Sequence, residues 1–321
     1  METLTNPYSR PEENNAPLWK RLYIYQKERF PLAGHGLLVA AFSFSAVAYS
    51  RICRGEDGFV SWKVFLAGVF TTVSLFLLVR IFDEFKDAKE DALYRRELPV
   101  PRGLVSFREL RNIGIIVVCL QVGLNAVVFP KMLLLYALAL GYLLLMSKEF
   151  FVADWLKRHQ FWYVVSHMLI IPLIDIYASG LDWMLEGVRA PGGLLYFFAV
   201  SFMSGIVLEI GRKIRAPEQE SEGVLTYSAM LGPAGSAVLW IGMLSLSLLL
   251  SILASAYAGY GTTGTIILSV IYVVCCTPAL LYLKHKSRRA GKMIEGASAA
   301  WTIAMYLTLG GVPMIERLLN V

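Results

Sequence analysis

From Arg80 to Asp91 the chain reads RIFDEFKDAKED, with Asp83, Glu84, Asp87 and Asp91 inside one short stretch. On a helix, Glu84, Asp87 and Asp91 stand at i, i+3 and i+7 and share a face, and Asp83 pairs with Asp87 at i, i+4. Carboxylates gathered in this way repel one another unless a cation neutralises them. Mg²⁺ commonly takes one or two carboxylates, waters and phosphate oxygens. The competing reading is a solvated helix end with Arg80, Lys86 and Lys89 as local ion-pair partners.

Immediately downstream, Leu93 to Gly103 reads LYRRELPVPRG. Pro99, Pro101 and Gly103 break the helix and set a turn. The turn brings Arg95, Arg96 and Arg102 across from the acidic face. Acids for a metal and bases for phosphate, at one membrane surface, are the set expected for a lipid diphosphate.

These residues must be held by a membrane scaffold. Of 321 residues, 56% are hydrophobic and 17% charged, against about 25% charged in soluble domains. The apolar residues come in blocks long enough to cross a bilayer as helices of about 20 residues. A soluble enzyme, a disordered chain and a secreted disulfide scaffold are excluded. We read an all-α membrane protein with nine spans, at 33–51, 60–82, 111–129, 131–147, 161–179, 192–210, 232–257, 262–283 and 296–315. Residues 1–32 form a polar tail without the pattern of a cleavable signal, and 33–321 form the transmembrane domain. Within the tail, Trp19 to Phe30 mixes aromatic and basic residues and suits the membrane surface. Of the 30 Lys and Arg, 23 fall on the side of the N-terminus and five on the other. The positive-inside rule then places the N-terminus in the cytoplasm and the C-terminus opposite. That distribution suits topology and lipid contact, not nucleic acid. The four cysteines lack metal-ligand spacing.

Of the 24 Asp and Glu, seven lie between Asp83 and Glu109 and four between Glu209 and Glu222. Both clusters are in connections that follow even-numbered spans. The layout resembles the UbiA superfamily of intramembrane prenyltransferases, with a helical bundle under cytoplasmic cap loops. That family's first motif is N-D-x-x-D-x-x-x-D followed by an R-P-L-P-S-G-like turn. Asp83 falls at its Asn, and Glu84, Asp87 and Asp91 fall at its three Asp positions. Pro99, Pro101 and Gly103 match the turn; Leu98 stands at its Arg, and Arg96 would supply that charge.

The family's second motif is a carboxylate-rich segment ending in G-x-x-T-x-x-x-x-x-G. Gly223, Thr226 and Gly232 have those offsets. The start departs: Glu209 is followed by Arg212, Lys213 and Arg215, and only then by Glu218, Glu220 and Glu222. This points to cationic side chains holding diphosphate oxygens where a metal often would. Contact with anionic lipid is the alternative. A basic pair after span 4, Lys157 and Arg158, matches the family's pair there and is either diphosphate-binding or purely topological.

Polar groups inside spans are costly and so are functional candidates. Gln121 and Asn125 lie on one face of span 3. His167 and Asp175 lie in span 5. His167 is placed to take a proton from an acceptor or a carbocation, or else to bond a neighbouring helix. Aromatic faces attract cations, and Tyr142, Trp162 and Phe198, with Asn125, are candidates for a prenyl pocket; packing and interface belts are the alternative.

The resemblance implies Mg²⁺ held by Asp83, Glu84, Asp87 and Asp91 with help from Glu209. It implies prenyl diphosphate bound by Arg96, Arg102, Lys157, Arg158, Arg212 and Lys213. The expected activity is transfer of the prenyl group to an aromatic or lipid acceptor. A terpene cyclase of the same family type is the alternative, and a non-catalytic transporter or lipid-binding protein is the third reading.

Overall fold

The structure is a computed structural model that describes residues 7–221 and 223–319. Among the described residues every regular element is helical. Nine helices among the described residues are long and apolar enough to cross a membrane: Leu32–Arg54, Trp62–Lys86, Phe107–Val128, Pro130–Ser147, Gln160–Glu186, Leu194–Arg212, Tyr227–Tyr257, Gly261–His285 and Arg288–Leu319, here spans 1 to 9. The chain is a multi-pass helical membrane protein. All four cysteines are free.

The span ends differ from the sequence reading where local chemistry extends a helix into polar territory. Span 3 starts at Phe107 because Ser106 and Glu109 form a reciprocal capping box. Span 7 starts five residues before the expected Gly232. Thr226 accepts from the Ala229 N–H and caps it, and the chain then kinks at Gly232 (φ 72°) before Pro233 and continues as helix. Span 9 starts at Arg288, capped by Ser287. Span 5 changes register at Leu169. Pro172, three residues on, has no N–H to close that turn.

Spans 1, 2, 5, 6 and 9 form the inside of the bundle and spans 3, 4, 7 and 8 flank it. The close approach of span 9 to span 1 depends on Gly310, in a wide π-type turn at Leu307–Gly311. A Cβ on Gly310 would lie 2.4 Å from the Ser45 carbonyl oxygen. No other residue fits there without moving a backbone.

Two buried polar networks tie the spans together. Near the middle, Gln121 bonds Ser74 and the Thr71 carbonyl and accepts from Tyr136. Asn125 bonds Thr71 and accepts from Tyr177. At the end opposite the acidic loops, the fully buried Asp182 accepts from Arg51 (3.0 Å), Arg54 (2.7 Å) and Ser50 (2.7 Å). Glu186 joins the same two arginines.

Candidate active site

The first acidic segment is helical on both sides of Asp87 but not through it. Span 2 runs to Lys86, Asp87 takes φ −89° and ψ 6°, and a short helix follows at Ala88–Tyr94. The break divides the carboxylates that a continuous helix would align. Asp83 and Asp87 gather about Lys86, whose Nζ lies 3.4 Å and 4.0 Å from their oxygens. Glu84 and Asp91 instead line a cavity of about 60 Å³ with Ala88, Val100, Pro101 and Phe107. The expectation that Asp87 shares a working face with Glu84 and Asp91 is therefore replaced by two separate pairs.

Burial pushes the Asp87 carboxyl up to about 6; Lys86 opposes this, and Asp83, Asp91 and Glu90 add to it. Asp91 is also raised, first by burial, with Arg95 and Arg29 opposing. Glu84 has a carboxylate only 1% exposed. Its Oε1 accepts from Arg29 Nε at 2.6 Å and Arg80 Nη2 at 3.3 Å, with the Tyr25 hydroxyl at 3.5 Å.

The second segment is built differently. Glu209 lies in the last turn of span 6, is 5% exposed, and has both oxygens taken. Arg212 meets Oε2 at 2.5–2.6 Å, and Lys213 Nζ meets Oε1 at 2.7 Å. The loop is tied down beyond them: Tyr227 N–H donates to the Lys213 carbonyl, Arg215 N–H to Ser228 Oγ, and Thr226 to Glu220. Glu218 is exposed, and Glu222 lies outside the described residues. Gly223 (φ 77°) rests on the Tyr94 ring, where a Cβ would come within 2.3 Å. The second loop thus packs on the helix that carries Asp91.

Span 5 closes the gap between the two segments. Tyr163 hydroxyl accepts from Lys86 Nζ at 3.0 Å, and its ring lies 5.5 Å below the same ammonium. The His167 ring stacks on Tyr163 at 4.0 Å, its Nδ1 lies 2.8 Å from the Tyr163 carbonyl, and its buried Nε2 has no partner among the described residues. Lys86, Asp83 and Glu209 all act electrostatically on His167, and Asp83 and Tyr163 act on Arg212. Spans 2, 5 and 6 therefore meet at one polar site.

Several expected residues sit elsewhere. Both Nη atoms of Arg102 are committed, with Glu28 at 2.8 Å twice and the Glu97 carbonyl at 2.8 Å. Arg96 donates to the Ala92 carbonyl. Lys157 reaches Glu90 at 3.3 Å, which raises its ammonium, and Arg158 donates to the Asp154 carbonyl. Of the pocket candidates, Asn125 is spent on the helix network above, and Tyr142 hydroxyl donates to the Ser166 carbonyl at 2.7 Å. Trp162 is half exposed beside Phe161, and Phe198 packs against the core at partial exposure. Asp175 is fully buried beside Ser201. Tyr163 stands among the aromatic residues whose faces suit a cation, while Lys86 and Tyr227 carry no site role in the sequence; the Tyr227 hydroxyl lies within electrostatic reach of Glu209 and Arg212. The four-residue spacing of Tyr163 and His167 was the available signal.

The donor sets discriminate between the two segments. Asp83 and Asp87 offer hard oxygens, with Lys86 between them and Arg80 3.9 Å from Asp83, a donor set that would suit a single Mg²⁺. Among the described residues no three carboxylates or imidazoles converge as a ready-made metal cage. Glu209, with a cation on each oxygen, does not fit a second ion.

Fold and comparisons together define a membrane-embedded prenyltransferase. The sequence profile of the UbiA prenyltransferase family matches residues 32–308, and the chain belongs to that family. It is 25% identical over 240 residues to a digeranylgeranylglyceryl phosphate synthase of Korarchaeum cryptofilum, covering 72% of this chain and 78% of that one. Its fold matches a UbiA homologue of Aeropyrum pernix K1 with TM-score 0.64 and 16% identity, over 87% of this chain and 97% of that one. It also matches a UbiA homologue of Archaeoglobus fulgidus bound to GPP and Mg²⁺, with TM-score 0.50 and 14% identity, over 89% and 99% of the two chains.

Proposed function

We propose that this prenyltransferase is Mg²⁺-dependent, ionises a polyprenyl diphosphate, and passes the prenyl group to a hydroxyl of a lipid acceptor. The observation that carries the reading is the meeting of a carboxylate pair and a cation pair beside His167. Asp83 and Asp87 flank Lys86, with Arg80 3.9 Å from Asp83, and Arg212 and Lys213 flank Glu209, which leaves that second group one net positive charge. The first group suits a metal, and the second suits a diphosphate. The Archaeoglobus fulgidus homologue described with GPP and Mg²⁺ supports the metal and the substrate class. The Korarchaeum cryptofilum relative, named for geranylgeranyl groups on glyceryl phosphate, supports the lipid acceptor. The excess of Lys and Arg on this face supports a cytoplasmic site and N-terminus.

Mg²⁺ bound by Asp83 and Asp87 would neutralise charge on the departing diphosphate. Arg212 and Lys213, aimed by Glu209, donate to its other oxygens. The bond between the allylic carbon and the bridging oxygen breaks, and its electron pair stays on the diphosphate. The acceptor oxygen attacks the allylic carbon, and its proton passes to His167 Nε2. Lys86 fixes Tyr163, and the Tyr163 ring fixes the imidazole.

Binding of geranylgeranyl thiodiphosphate to purified protein tests this site. Arg212→Ala with Lys213→Ala should weaken binding by at least about a hundredfold, the loss of two charge-assisted bonds of about 1.5–3 kcal/mol each. His167→Ala should keep binding and lower turnover about a hundredfold. Unchanged affinity in the double variant would remove the diphosphate assignment, and a parallel loss of binding in His167→Ala would make it a packing residue.

A further inference from the structure

Glu84 stands in the motif from which the resemblance would draw a metal ligand, yet its surroundings are those of an anchor. The carboxylate is 1% exposed. A buried carboxylate needs compensating cations, and removing one partner of such a pair costs far more than the pair gains. Arg80, on its own helix, and Arg29, 55 residues earlier, supply them. Arg29 ends the helix Leu18–Arg29, which precedes span 1. Tyr25, one turn back on that helix, adds its hydroxyl at 3.5 Å.

The same helix is held at two more points, and the short helix Pro11–Asn14 before it at a third. Arg21 makes two contacts with Glu109, at 2.5 and 3.2 Å, and donates to the Leu104 carbonyl at 2.9 Å. Glu28 receives both Nη atoms of Arg102. Glu13 adds a contact to Arg102 at 3.5 Å, and Asn14 donates to the Arg102 carbonyl at 2.9 Å. Every one of these partners lies on span 2, at the start of span 3, or in the turn between them. Meanwhile Trp19, Lys20, Tyr23 and Lys27 remain exposed on the other side of the helix.

We infer that residues 13–29 form a strap across the first acidic segment, and that Glu84 is the positioning residue that receives it. Arg29, a covalently tethered cation, stands against the Glu84 carboxylate together with Arg80. The strap fixes the rotation of span 2 at its end, so that Glu84 faces the strap while Asp83 and Asp87 face Lys86 and Tyr163. The first segment then holds one divalent cation, at Asp83 and Asp87. The inference rests on the metal reading above. It accounts for a Glu in place of the motif's Asp, because the extra methylene extends the carboxylate toward the strap.

Mn²⁺ titration read by electron paramagnetic resonance, run beside limited trypsin digestion of the full-length protein, tests it. Glu84→Gln should retain one Mn²⁺ per chain with affinity within about threefold, because its carboxylate is not a ligand. Cleavage after Lys20 and Lys27 should be at least about tenfold faster, because the strap opens more often. Arg29→Gln should show the same pair of changes, and Arg29→Lys should restore most of the protection. Loss of Mn²⁺ in Glu84→Gln would overturn the inference, as would unchanged cleavage in Arg29→Gln. Asp87→Asn separates the two readings. It should lose Mn²⁺ with the strap still protected, and retention of Mn²⁺ there would sink the metal assignment while the cleavage rates still judge the strap.

Discussion

The Asp87 carboxyl, lifted to about 6 from an ordinary 3.8, makes the site sensitive to pH just below neutrality. A metal needs the ionised form. Below about pH 6 the proton competes with the cation, so Mg²⁺ affinity should fall by about tenfold per pH unit. The stability linkage has the opposite sign. The folded chain holds this proton more tightly than the unfolded chain, so the contribution of Asp87 to stability is full below the unfolded value and is lost as pH rises through 6. Calorimetric titration of Mg²⁺ between pH 5 and 7.5 should show the slope in the wild type and no Mg²⁺ binding in Asp87→Asn. A flat wild-type profile would remove Asp87 from the metal site. Residue types and spacings made the two charged segments legible in the sequence. What spacing did not show was the backbone at Asp87, which sends neighbouring carboxylates to different partners. Nor did it show Arg29 beside Glu84, because that contact joins helices far apart in the chain.

Spans were legible because a bilayer demands long apolar helices, and their centres agree with the sequence reading. Their ends were less so, since caps such as Thr226 and Ser287 carry a helix past its apolar block. Packing between spans was not legible at all. Gly310 is one of 26 glycines, and only the fold shows that it sits on the Ser45 backbone. Gly310→Val should therefore push span 9 from span 1. The expected loss is about 3 kcal/mol, the upper end for overpacking, because a backbone atom cannot rotate away. Chemical unfolding in detergent micelles measures it, and a change below about 0.5 kcal/mol, the usual range for an inconsequential substitution, would show that the contact is loose. Gln121 and Asn125 make the same point from the polar side. Their burial was readable as a functional signal, but their bonds to Thr71, Ser74 and Tyr177 hold helices together.

At the scale of the whole molecule, the two ends of the bundle do different work. The end with Asp182 is closed by paired charges whose groups satisfy one another. At the other end, Asp83, Asp87, Arg212 and Lys213 lie where two loops and span 5 meet, and His167 has a nitrogen to spare. That division agrees with the unequal distribution of Lys and Arg along the sequence, which is how the working end could be read before the fold was known. The central claim is that this end ionises a prenyl diphosphate with Mg²⁺ and transfers the prenyl group. The most direct test follows diphosphate release from geranylgeranyl diphosphate by the purified protein, with organic products identified by mass spectrometry, with and without Mg²⁺ and a prenylglyceryl phosphate acceptor. The account predicts release coupled to a prenylated acceptor only when both are present, and a loss of at least about a hundredfold in Asp83→Asn with Asp87→Asn. Release that ignores Mg²⁺ and both substitutions, or a cyclic hydrocarbon formed without acceptor, would contradict it.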